Sequence, residues 1–183
     1  MSAAAYPQLR RRIALTVAAA AALGAMALPA SAAARRCHHV NADPNRISIE
    51  KVQRATLCLL NRKRRVHGVH RVSENHRLDL ASTRYAQDMA RHDFFEHGDF
   101  VGRIERTNYL AGAGSWTVGE NIAWGGGSYA TPRSTVEMWM NSPPHRHNIL
   151  DPHFREIGIG IARGTPVAGV AGATYATDFG SRG

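Results

Sequence analysis

The sequence predicts an α+β fold, and three observations carry that reading. Apolar residues recur at helical spacing through the first part of the chain. Residues alternate at period two in the last part. No strand–helix–strand rhythm links the two parts, which argues against a doubly wound parallel sheet. A chain of 183 residues, 44% hydrophobic and 20% charged, suits one globular domain with a short appendage.

The first helix is predicted from about Ser48 to Arg65. Val52, Ala55, Leu59 and Leu60 share one face, Ser48 can cap the start, and Gly68 lies just past the end. Arg62-Lys63-Arg64-Arg65 reads either as a nucleic-acid or surface patch or, the reading preferred, as a solvated helix end whose cations complement the helix dipole. The second helix runs to about Arg91, capped by Ser73 or Asn75, with Leu78, Ala81, Tyr85 and Met89 as its apolar stripe. Phe94 and Phe95 follow and are expected to anchor the next loop in the core, holding His97 beside the helix end. A short third helix is expected from Val101 to Tyr109, and Trp116-Thr117-Val118 can be extended.

Gly119 allows an unusual backbone turn before Glu120, and Gly125-Gly126-Gly127 is expected to break regular structure. Thr131-Pro132 opens a helix as cap and first position; it stops at Pro143-Pro144, which cannot continue the hydrogen-bond ladder. His145 to Leu150 forms a further helical turn. Ile157, Ile159 and Ile161 alternate with Gly158, Gly160 and Ala162, and Tyr175, Thr177 and Phe179 with Ala176 and Asp178. Two strands this close predict an antiparallel hairpin, and the glycines leave one face open to a closely packed helix.

The appendage is at the start. Arg10-Arg11-Arg12, an apolar run from Ile13 to Leu28, and Ala30-Ser31-Ala32 have the form of a secretory signal peptide, residues 1–32; an uncleaved anchor is the competing reading. Residues 33–47 are polar and irregular, and the domain proper spans 48–183. The formal charge is +9, and three of those charges leave with the leader, so the exported chain carries +6. Outside the cell a basic chain meets cell-wall polymers, lipid head groups and released nucleic acid. Cys37 and Cys58 are the only two cysteines, and an oxidising compartment favours a bridge between them. Past the leader, no apolar segment is long enough to span a membrane.

Of ten histidines, His38, His39, His67, His70 and His76 lie in polar surroundings and read as surface residues. His97 and His145 differ, because each follows a segment expected to be rigid, Phe94-Phe95 or Pro143-Pro144. Two neutral imidazoles and a carboxylate, Glu120, form a set that can hold a divalent metal or share a proton. Taken singly, each imidazole suits a structural histidine and Glu120 a carboxylate holding loop amides, so the site requires all three to converge.

His97-Gly98-Asp99, Gly119-Glu120-Asn121-Ile122-Ala123, Trp139-Met140-Asn141-Ser142-Pro143-Pro144-His145-Arg146-x-Asn148-Ile149-Leu150 and Ile157-Gly158-Ile159-Gly160, in this order, resemble the CAP superfamily (cysteine-rich secretory proteins, antigen 5, pathogenesis-related 1), also called SCP-like, in its bacterial secreted branch. The resemblance covers roughly Ile49 to Phe179. It implies an α-β-α sandwich, an antiparallel sheet between helical layers, with a cleft lined by two histidines and two acidic residues that bind zinc or magnesium in some members. Carried over, His97, Glu120 and His145 match three of the four. The second acid falls on Ser142, which brings no negative charge, and Glu137 points elsewhere on its helix. His97, Glu120 and His145 are then the tentative ligands for zinc or magnesium.

Three functions follow for weighing. The first is an extracellular, non-enzymatic binding module for a cell-wall polymer, a lipid or another small ligand. The second is a zinc-dependent hydrolase acting on cell-envelope material, its bound water the nucleophile. The third, a nucleic-acid binder, lacks a recognised motif. No nucleophile elbow, H-E-x-x-H or catalytic cysteine–histidine pairing is present.

Overall fold

A computed structural model describes residues 36–183. The leader and its cleavage site lie outside the described residues. A four-stranded sheet in the order β1-β3-β4-β2 carries helices on both faces. The strands are β1 (Ser73–Glu74), β2 (Trp116–Gly126), β3 (Glu156–Arg163) and β4 (Gly172–Arg182). β2–β4 and β4–β3 are antiparallel; the two-residue β1 pairs parallel with β3 and has no sequence signal of its own.

Helices α1 (Ile49–Val66), α4 (Pro132–Asn141) and α5 (Pro143–Leu150) cover one face. Val52, Leu60, Val136, Trp139 and Ile149 there meet Ile157, Ile159, Tyr175 and Phe179 of the sheet. Helices α2 (His76–Arg91) and α3 (Phe100–Glu105) cover the other. Period-two alternation sends odd residues of β2 toward α4 and α5, and even residues, Glu120 and Ile122 among them, toward α2 and α3. Among the described residues, no helix is long and apolar enough to cross a membrane.

The expected close approach of a helix is present. Cβ atoms added at Gly158 and Gly160 would lie 2.0 Å from the α2 backbone at Leu78 and Ser82. Gly160→Ala is therefore expected to cost roughly 1–3 kcal/mol by overpacking. The check is a lowered denaturant midpoint with an unchanged slope. A midpoint equal to wild type would refute this packing.

Several expectations need correction. Gly119, Gly125 and Gly126 do not interrupt structure; all three lie inside β2. Gly119 is small for a steric reason, since a Cβ there would come 2.9 Å from Phe154 and 3.2 Å from Asn148. Of these four glycines only Gly127 has positive φ, 55°, where the strand gives way to a short 3-10 turn. The third helix ends at Glu105, not Tyr109. Of the two phenylalanines, only Phe94 packs inward, against Tyr85 at 5.8 Å; Phe95 is 45% exposed. Ser48 stands at the N-cap of α1 but its hydroxyl makes no capping bond, whereas Asn75 caps α2 by accepting from Arg77 and Leu78 amides.

Arg64 alone departs from the reading of the basic run as a solvated helix end. Arg62 and Arg65 are exposed, but Arg64 is fully buried. Its Nε donates to the His70 carbonyl, its Nη1 to Ile149 and Asp151, and its Nη2 to Phe154. One guanidinium thus ties α1 to the segment after α5. The disulfide between Cys37 and Cys58 forms, with Cα atoms 5.6 Å apart. It joins the segment before α1, whose Val40 is buried in the core, to α1 itself. For a closed loop of about 20 residues, such a bridge contributes roughly 3 kcal/mol by the chain-entropy relation.

Candidate functional site

The site lies at the outer edge of β2, where the two helical layers come together. Edge-strand carbonyls need partners when buried. Here side chains of α4 and α5 supply them: Trp139 Nε1 donates to the Ile122 carbonyl at 3.0 Å, and Asn148 Nδ2 to that of Glu120 at 3.0 Å. Asn121 Nδ2 in turn donates to the His145 carbonyl at 3.0 Å, and its Oδ1 accepts from Asn148. The Gly119–Ala123 and Trp139–Leu150 motifs are therefore parts of one hydrogen-bonded seam, which sets the height of α5, and so of His145, against β2.

His97 stands in the loop between α2 and α3, on the opposite layer. Tyr85 of α2 steadies that loop by donating to the Glu96 carbonyl at 2.5 Å. The His97 and His145 rings meet with centroids 6.4 Å apart. His97 is half exposed and Glu120 buried beneath it. His97 Nδ1 donates to Glu120 Oε1 at 2.8 Å, since an ionised carboxylate only accepts. His145 Nδ1 is bonded to the Ser142 hydroxyl at 2.8 Å. Each ring is thus oriented through Nδ1, and neither Nε2 has a partner among the described residues. The structure brings together all four residues singled out in the sequence: His97, Glu120, Ser142 and His145. Glu137 is elsewhere, paired with Arg133 at 3.7 Å.

Arg103 of α3 was not legible in the sequence. Its Nη2 lies 2.5 Å from Glu120 Oε2, and its guanidinium stacks on the Tyr85 ring at 3.2 Å. Nothing in residue type or spacing separates it from the chain's other surface arginines. Burial pushes the Glu120 carboxyl above its ordinary range, while Arg103 and the His97 bond pull it back toward the anion. Burial, with a smaller contribution from charge on His97, lowers the His145 pKa and favours a neutral ring. Asp178 stands directly across from Glu120 on β4, fully buried and without a hydrogen-bond partner; burial and the neighbouring Glu120 push its pKa well above the ordinary value.

Whether this set fits a divalent metal can be tested on its geometry. Both Glu120 oxygens are engaged, one by a guanidinium that cancels its charge, so the carboxylate supports His97 as metal-bound histidines are supported from behind, rather than standing as a third ligand. Two imidazoles on one tetrahedral zinc have ring centres roughly 5 Å apart, from the ordinary zinc–nitrogen distance. At 6.4 Å the rings are wider than that. Among the described residues, no three His, Cys, Asp or Glu side chains are grouped to hold a metal ion. The residues do not fit a three-ligand hydrolytic centre.

Two helical layers enclosing a sheet, with imidazoles from each layer meeting over a buried, ion-paired glutamate, define a sandwich of the cysteine-rich secretory type. The chain belongs to the cysteine-rich secretory protein (CAP) family, whose sequence profile matches residues 57–175. It is 32% identical over 114 residues to the uncharacterized protein YkwD of Bacillus subtilis (strain 168), covering 62% of this chain and 43% of that one. It is 26% identical over 116 residues to the uncharacterized membrane protein YlbC of the same strain, covering 61% and 32%. The chain thus spans less than half the length of these relatives. Among solved structures, it is similar to an SCP-domain extracellular protein of Bacillus anthracis, with TM-score 0.55, 22% identity, and 73% and 43% of the two chains covered. An outer surface protein of Borrelia burgdorferi gives TM-score 0.57 at 18% identity, over 75% of this chain and 97% of that one.

Proposed function

We propose that this chain is an exported binding module whose cleft, lined by His97, Glu120, Ser142 and His145, holds a hydroxyl-bearing ligand of the cell wall. The observation that carries the reading is the pair of oriented rings, each fixed through Nδ1, with centroids 6.4 Å apart and neither Nε2 bonded among the described residues. In a neutral ring whose Nδ1–H is bonded to Glu120, Nε2 is a hydrogen-bond acceptor. The leader-like start, the similarity to an extracellular protein of Bacillus anthracis and an outer surface protein of Borrelia burgdorferi, and the exported charge of +6 support export to a polyanionic wall. The zinc-dependent hydrolase is the weaker reading, because Glu120, its third ligand, is already held by Arg103.

The test is retention on purified cell wall, for wild type and for His97→Ala with His145→Ala. The double variant is expected to bind at least about tenfold more weakly, a loss of roughly 1.4 kcal/mol. Wild-type binding should survive salt that screens charge attraction. Equal retention of the two proteins, or release of both by moderate salt, would leave the basic surface alone responsible and would sink the cleft reading.

A further inference from the structure

We propose that Asp178 is a positioning residue for the imidazole pair: through one internal water it holds Arg103 Nε, and by way of Arg103 and Glu120 it orients the ring of His97. The proposal deepens the reading of the cleft given above and rests on it for its functional meaning, though its test needs no ligand.

Its basis is a convergence. Among the described residues, three buried side-chain nitrogen and oxygen atoms lack a hydrogen-bond partner: Arg103 Nε and both carboxyl oxygens of Asp178. Arg103 and Asp178 flank the same residue. Asp178 faces Glu120 across the β2–β4 ladder, and Arg103 is bonded to Glu120 at its carboxylate. The outward-turned Glu120 carbonyl, bonded to Asn148, marks Glu120–Asp178 as a non-hydrogen-bonded pair, the kind whose side chains lie closest. On the other side of Asp178 the register places Gly158, which has no side chain to offer it, and the α2 backbone packs directly onto that glycine. The Arg103 guanidinium cannot turn away, because Tyr85 stacks on it and Glu120 holds its Nη2. Leaving a buried donor and a buried carboxyl unpaired is unfavourable. One water with Arg103 Nε and the two Asp178 oxygens as neighbours has the three partners typical of an internal water.

The chain that results runs Asp178, water, Arg103, Glu120, His97, from the centre of the sheet to the half-exposed ring. Its outer bonds are already in the structure. Its inner part explains a polar residue at Asp178, where the flanking residues on the same face of β4 are Ala176 and Gly180.

The experiment is nuclear magnetic resonance on the full-length chain labelled with 15N, for wild type, Asp178→Asn and Asp178→Val. In wild type, the Arg103 Nε–H is expected to show a cross-peak to a long-lived water, and His97 to populate mainly the Nδ1–H tautomer. Asparagine, equal in shape and still polar, should keep both. Valine should lose the water and shift His97 toward the Nε2–H tautomer, while His145 keeps its signals. Absence of the water cross-peak in wild type overturns the proposal. So does a valine variant with an unchanged His97 tautomer, or an asparagine variant displaced as far as the valine one. Should the valine variant not fold, the wild-type cross-peak and the asparagine variant decide. Failure to retain cell wall, by contrast, leaves these signals untouched, so the two readings fail separately.

Discussion

Replacing Arg64 by methionine is expected to lower the unfolding free energy by roughly 3–5 kcal/mol, the range of losses tied to a broken buried network. Methionine can fill much of the volume, so lost packing is a small part of the effect. The larger part is the loss of the donor to four carbonyl oxygens, of His70, Ile149, Asp151 and Phe154, of which Phe154 alone keeps other side-chain partners, His70 Nε2 and Arg155 Nη1. Three of these belong to the end of α5 and the connection into β3, so the variant also loosens the segment that follows His145. Arg64→Lys should recover only part of the loss, since an ammonium has no planar fork to reach all four acceptors. Denaturant unfolding decides it. For a domain of this size a loss of that order lowers Tm by about 10 °C or more. A variant within about 1 kcal/mol of wild type would show that the carbonyls find other donors.

Arg103→Met should cost a similar amount, roughly 3–5 kcal/mol near neutral pH, because it strands a buried carboxylate. Glu120 is almost wholly buried, and Arg103 is its charged partner at 2.5 Å. This loss carries a pH signature. Burial raises the folded-state pKa of Glu120 above 4.5, and Arg103 opposes that rise. Removing Arg103 raises the folded value further. A carboxyl whose folded pKa lies above its unfolded one contributes stability that is present below the unfolded value and lost as pH rises through the folded value. The deficit of the variant should therefore be small at pH below about 4.5 and grow toward neutrality. Arg103→Met with Glu120→Gln should recover much of the loss, as a neutral amide needs no counter-charge. A deficit independent of pH would mean that Arg103 acts through its packing on Tyr85 alone.

Legibility differed from residue to residue for physical reasons. The helices were readable because an amphipathic face repeats locally, and their limits were readable where Asn75, Thr131 and Pro143 act on the next few backbone groups. β2 was misread because its glycines suggested a break. A residue's lack of a side chain does not reveal whether it frees the backbone, as at Gly127, or makes room for a neighbour, as at Gly119, where Phe154 and Asn148 stand close. Arg64 was misread because composition makes a basic helix end look solvated, and its four acceptors come from residues up to 90 positions away.

Residue type and short-range spacing are enough for the helices, the hairpin of β3 and β4, the cysteine pair, the family and three side chains suited to share a hollow, because each of these is a local property of the chain. That His97 and His145 meet across the edge of β2, that Arg103 neutralises Glu120, and that Asp178 lies sealed behind them follows from the packing of elements distant in the chain. The reason is that charge and burial at one point are set by every element packed around it. The partners of Glu120 come from a loop, a helix and a strand that only the folded sheet brings into contact.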